Sequence, residues 1–167
     1  NITRITSRDS AGKPIGAIHT GLRHLDLEFS AFDVSDFKTN VDFAFSCLPH
    51  AASAPIVEEL VAAEIKVVDF SADYRLDDQA SFESWYNVTH PCPSRLGNVP
   101  YGIPELFGEQ IAKASLVANP GCFPSSAILP LAPLLKEGLI SPSSIIVDSK
   151  TGISGAGRKA NLKFHFP

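Results

Sequence analysis

The 167-residue sequence contains no methionine and a single tryptophan, and it has no long run of apolar residues or of charges of one sign. Each shortage excludes something. Without about 20 consecutive apolar residues, no helix of this chain is expected to cross a bilayer. The 14 basic and 18 acidic residues are dispersed, so the net charge of −4 makes no electrostatic case for nucleic acid or an anionic membrane as partner. Cysteine is scarce as well. Cys47, Cys92 and Cys122 are odd in number and far apart, which argues against a disulfide framework, and no CxxC pair offers a zinc site, so no metal is expected. A reducing cytoplasm is the expected compartment. The missing methionine, the abrupt start at Asn1-Ile2-Thr3 and the stop at Phe166-Pro167 lead to the expectation that this is a piece of a longer protein.

What is present fits a globular domain, with 44% hydrophobic residues, enough for a core. "VDFAFSCL" (41–48) is an apolar run bounded by polar residues and predicts a strand buried on both faces. A helix follows, with Ser53 as cap, Pro55 in the first turn, and Ile56, Val57, Leu60 and Val61 on one face. "KVVDFS" (66–71) predicts the next strand. Strand, helix and strand form a βαβ unit with parallel strands, and hence an α/β sheet. "ITRITSRDS" (2–10) and "LDLEFSAF" (25–32) predict earlier strands, and "ASLVANP" (114–120) a later one. Residues 78–109 are an excursion with at most a short helix around Gln79 to Trp85. After Cys122, "SSAILPLAPLLKEGLI" predicts a helix interrupted by Pro130 and Pro133 and stopped at Gly138, and "SIIVDS" (144–149) one more strand.

In open parallel sheets ligands bind beyond the carboxyl ends of the strands. That rule selects Ser7-Arg8, Leu48-Pro49-His50, Ser71-Ala72-Asp73 and the turn at 119–122. Cys122 follows Asn-Pro-Gly at a predicted helix start, where free N–H groups and the positive end of the helix dipole favour a thiolate. Such a thiolate attacks an activated acyl carbon or an aldehyde, and backbone N–H groups can hold the oxyanion. The competing reading is a buried structural cysteine, and the rigid turn favours chemistry. Cys47, among Phe43, Phe45 and Leu48, reads as a buried strand residue. Ser7-Arg8 suits an ordinary solvated turn or, in a nucleotide-binding sheet, recognition of a 2′-phosphate. "GAGRKA" (155–160) matches G-x-G-x-x-A formally, but Thr151 to Ser154 separate it from its strand, so it is expected to be a ligand-wrapping loop carrying Arg158 and Lys159. His50 is a general-base candidate or, better, a helix cap or cofactor-loop residue.

Six segments, "TSR" (6–8), "CLPH" (47–50), "VVDFSADYRL" (67–76), "VPYGIPEL" (99–106), "NPGCFPSSAILPLAPLL" (119–135) and "DSKTGISGAGRK" (148–159), together resemble the N-acetyl-gamma-glutamyl-phosphate reductase family, NADP-dependent enzymes of arginine biosynthesis related to aspartate-semialdehyde dehydrogenase. The resemblance implies a partial Rossmann-type doubly wound parallel sheet over 1–118, followed by the start of an α+β catalytic domain over 119–167. It implies that Cys122 attacks an acyl phosphate, expels phosphate and forms a thioester that NADPH reduces to a semialdehyde. By the same resemblance Ser7 and Arg8 hold the NADP 2′-phosphate, and Leu48, Pro49 and His50 line the cofactor cleft. Ser154, Gly155, Ala156 and Gly157 form the loop over the nicotinamide, and Asp73, Tyr101 and Arg158 shape the substrate side. The family's first strand and glycine-rich loop are expected before Asn1 and its catalytic histidine beyond Pro167, so the 167 residues alone are expected to be inactive. A homo-oligomer is expected of the full-length protein. The nearest rivals are reductases of aminoadipyl or aspartyl phosphate. A non-catalytic dinucleotide-binding module and a hydrolase using Cys122 and His50 are the readings from other classes.

Overall fold

The computed structural model describes residues 1–152. The chain divides into two compact units, Asn1–Gly121 and Cys122–Pro167. In the first, β1 (Ile5–Thr6) pairs in parallel with β2 (Phe29–Ser30), with the single helical turn α1 (Ile15–Ile18) between them. Helix α2 (Val34–Asn40) starts where the Asp33 side chain accepts from the Ser35 N–H at 2.9 Å, an N-cap, and it turns Phe37 inward.

The predicted βαβ unit is β3 (Phe43–Ser46), α3 (Ser53–Ala62) and β4 (Lys66–Asp69), with Phe43 opposite Lys66 and Ser46 opposite Asp69 in parallel register. β5 (Leu116–Ala118) pairs with the other side of β4, giving the order β3-β4-β5. Two helices interrupt the path from β4 to β5. α4 (Gln79–Tyr86) is capped by Asp78 and closed by Asn87 at φ 53°. α5 (Pro104–Lys113), begun by its proline, exceeds the short single helix expected of the excursion.

The core lies where α3 meets the three-stranded sheet. Val57 (0% exposed) and Leu60 (3%) pack with Ala44, Val67, Leu116 and Ala118, and Phe37, Ile65 and Tyr74 complete the cluster. Burying a side chain of this size contributes roughly 1.5–3 kcal/mol. Strand β3 is not buried on both faces as its apolar run predicts. Ala44 and Ser46 point inward, whereas Phe43 and Phe45 point outward and pack on each other at a ring distance of 5.1 Å, and Phe45 packs on Phe70 at 5.9 Å. Period-two alternation therefore sorts an apolar run into one core face and one exposed aromatic face.

In the second unit α6 (Cys122–Lys136) runs through Pro130 and Pro133. It ends at Gly138, whose φ of 66° suits a residue without Cβ. The N–H groups of Gly138 and Leu139 return to the carbonyls of Leu135 and Leu134 at 3.1 and 2.9 Å, a Schellman closure. The strand expected at 144–149 is not formed. After a 3-10 turn at Pro142–Ser144 no ladder partner pairs with it among the described residues, and Ile146 is 94% exposed.

Candidate active site

The carboxyl end of β4 is built from alternating residues of "DFSADYR" (69–75). Asp69 is fully buried. Its Oδ1 accepts from the Ser53 hydroxyl at 2.7 Å and the Ser71 N–H at 3.0 Å, while Oδ2 accepts from the Ser71 hydroxyl at 2.6 Å. Ser53 also bonds the Ser46 hydroxyl at 2.6 Å. Ser53 is thus the first residue of α3 and makes no cap, contrary to the expectation from sequence, because Asp69 draws its hydroxyl into the sheet.

The helix start is served from a distance instead. Asp73, also fully buried, accepts from the Ala51 N–H at 2.6 Å with Oδ1 and from the Ala54 N–H at 2.8 Å with Oδ2. Asp73, expected on the substrate side by resemblance, therefore has both carboxylate oxygens on the loop between β3 and α3 and the first turn of α3. His90, 2% exposed, accepts the Cys92 N–H on Nδ1 at 3.0 Å, so its proton sits on Nε2, which donates to the Asp73 carbonyl at 2.7 Å. Arg75 closes the assembly. Its guanidinium donates from Nε to the Asn119 carbonyl and from an Nη to the Phe70 carbonyl, both at 2.8 Å, joining the ends of β4 and β5.

Ser7, Arg8 and Leu48 line one cavity of about 480 Å³, together with Cys47 and residues of β1, β2 and β3. Ser7 is half-buried with its N–H bonded to the Ser30 carbonyl at 3.1 Å, and Arg8 is exposed. Pro49 and His50 are exposed beyond Leu48, and the His50 ring lies 5.4 Å from that of Tyr86. Cys47 is exposed at the end of β3, a correction to its reading as a buried strand residue. Partial burial of its sulfur and the charge of Asp69 push its thiol up, and burial with Glu58 and Asp73 does the same to Cys92. Burial first, and then the negative neighbours, favour the thiol form of both.

In the second unit Cys122 is exposed as the first residue of α6. With Phe123, Ser126 and Pro130 it lines a cavity of about 550 Å³ whose other wall is residues 146–151. Tyr101 forms a bridge to Ala118 and is half-buried; burial pushes its phenol up, with Arg75 opposing, so it remains a neutral donor. Ser154, Gly155, Ala156, Gly157 and Arg158 lie outside the described residues. No cluster of three or more His, Cys, Asp or Glu suited to a metal occurs among the described residues, nor does a helix long and apolar enough to cross a membrane.

Sequence reasoning missed Arg75, His90 and the Glu58 pair with Tyr74 and Arg95, at 2.7 and 2.8 Å. The alternation of polar residues after β4 was the available signal for Arg75. Nothing local marks His90.

Comparison with known proteins places these features in a family. Residues 1–114 match the model "semialdehyde dehydrogenase, NAD binding domain", and residues 122–167 the model "semialdehyde dehydrogenase, dimerisation domain". An N-acetyl-gamma-glutamyl-phosphate reductase of Rhodopirellula baltica is 50% identical over 94% of this chain and 46% of its own length. One of Herminiimonas arsenicoxydans is 45% identical over 99% of this chain and 48% of its own. The chain thus spans about half the length of the curated relatives it matches. The crystal structure of aspartate semialdehyde dehydrogenase with NADP from Candida albicans superposes with a TM-score of 0.55 at 17% identity, over 82% of this chain and 40% of that one, a likeness of fold. With parallel α/β strands, a cysteine opening the helix after β5 and a family model covering residues 1–114, the chain belongs to the semialdehyde dehydrogenase family.

Proposed function

We propose that the whole protein is an NADP-dependent oxidoreductase that converts N-acetyl-glutamyl phosphate to N-acetyl-glutamate semialdehyde and phosphate, in arginine biosynthesis, through a thioester on Cys122. The observation that carries this reading is the placement of Cys122: exposed, first in α6, three residues after Asn119, and beside a cavity. The 50% identity to a reductase of that name supports the substrate.

The donors at the carboxyl ends of β1 and β3 fit a dinucleotide phosphate. The Arg8 guanidinium and Ser7 hydroxyl after β1 suit a 2′-phosphate, with Leu48, Pro49 and His50 as the wall beyond β3. When bound, NADPH supplies the hydride that reduces the acyl group. Cys122 sulfur forms the bond to the acyl carbon as the carbon–oxygen bond to phosphate breaks, releasing inorganic phosphate. After reduction the thiohemiacetal breaks its C–S bond, returning the Cys122 sulfur and freeing the aldehyde. Ser154, Gly155, Ala156 and Gly157 are proposed to cover the nicotinamide. Tyr101, a neutral donor, and Arg158 are assigned to the substrate side. The dimerisation-domain match supports a homo-oligomer.

The test is NADP-dependent, phosphate-requiring oxidation of N-acetyl-glutamate semialdehyde by the full-length protein, beside Cys122→Ser and Cys122→Ala. Activity in the wild type that is lost in both variants is expected. Wild-type turnover in Cys122→Ala overturns the nucleophile, and preference for aminoadipate or aspartate semialdehyde overturns the substrate.

A further inference from the structure

We propose that Asp73 is a positioning residue for the dinucleotide cleft, holding residues 48–54 in the backbone conformation that keeps Leu48, Pro49 and His50 at the cofactor. This rests on the reading of those three residues as the cleft wall.

Four observations converge on it. The Asp73 carboxylate is fully buried, with one oxygen on the Ala51 N–H at 2.6 Å and the other on the Ala54 N–H at 2.8 Å, so it spans the loop and the first turn of α3. Ala51, itself one of these contacts and next to His50 in the chain, has φ 61°, a conformation that a Cβ disfavours and that needs an external hold. Asp73 is itself fixed on both backbone sides: its N–H donates to the Ser71 hydroxyl at 3.1 Å, and its carbonyl accepts from His90 at 2.7 Å. Directly before Ala51, the His50 ring rests against Tyr86 at 5.4 Å. A carboxylate is the group this geometry requires, because it accepts on both oxygens. An asparagine offers one oxygen and turns its NH₂ towards a backbone N–H, leaving that donor without an acceptor.

In the full-length protein, Asp73→Asn is expected to raise the KM for NADPH about tenfold or more, while the KM for the acyl phosphate changes less than about twofold. Adding Ala51→Gly to Asp73→Asn is expected to recover part of the NADPH affinity, since glycine adopts positive φ without a Cβ clash. A second variant leaves Asp73 in place: Ala51→Pro removes the N–H that it accepts and cannot adopt φ 61°, and is expected to show the same NADPH-selective defect. If Asp73→Asn does not fold, Ala51→Pro decides alone. An unchanged NADPH KM in the folded variants overturns the proposal, as does a rise in acyl-phosphate KM alone, which would make Asp73 a substrate residue. Failure of the wild type to bind NADPH overturns the cleft reading and this assignment with it.

Discussion

Residues 69–75 and helix α6 both carry motifs that the sequence marks as functional, yet their side chains meet opposite surroundings. After β4, Asp69, Ser71 and Asp73 are at most 5% exposed, and every oxygen of the two carboxylates has a bonded partner. In α6 no residue is buried, and Phe123, Leu129 and Leu134 are 46%, 42% and 39% exposed. Within its unit the polar segment is enclosed, whereas among the described residues of its own unit the apolar helix is left open. Hydrophobicity along the chain therefore misplaces both: a polar group enters a core when its partners are already there, and an apolar helix is covered only when an apolar face meets it.

The largest expected effect lies on the buried side of this contrast. Phe82, 0% exposed, packs against His90 at 4.6 Å, and Phe82→Ala is expected to cost about 3–5 kcal/mol by urea unfolding. The exposed Ile146→Ser is expected to stay within about 0.5 kcal/mol, and a cost equal to that of Phe82→Ala would break the comparison. Asp69→Ala strands the Ser53 and Ser71 donors and is expected to cost about 2–3 kcal/mol. A neutral result there would mean that water replaces the carboxylate.

A further effect on the buried side concerns alkaline pH. Tyr74, 3% exposed, donates to Glu58 at 2.7 Å; burial, then that bond and the charge of Glu58, push its phenol well above its ordinary value. A raised folded value means that the stability is complete below the ordinary tyrosine range near pH 10 and is lost as pH rises beyond it. Urea midpoints measured across that range are expected to fall in the wild type and to fall less steeply in Tyr74→Phe. Identical slopes would remove Tyr74 from the account.

Part of this organisation is legible locally. The βαβ unit was readable because 41–48 is apolar, Pro55 suits a first turn and Val57 and Leu60 share a helical face. The placement of Cys122 was readable because Asn-Pro-Gly cannot continue a strand and a helical composition follows. The strand expected at 144–149 is not formed for the complementary reason, since β-propensity makes no ladder without a neighbouring strand, and none pairs with it among the described residues.

The sequence by itself determined the parallel α/β pattern, the helix that Cys122 opens and the strand ends where ligands are expected. Only the tertiary structure decided that Asp69 takes the Ser53 hydroxyl, that Asp73 holds Ala51 in a left-handed turn and that Arg75 joins Phe70 to Asn119. The physical reason is range. These partners are 16, 22 and 44 residues apart, whereas propensity and periodicity act over one or two turns of chain. A buried carboxylate must be satisfied, but which amide satisfies it is set by the segments that packing brings alongside.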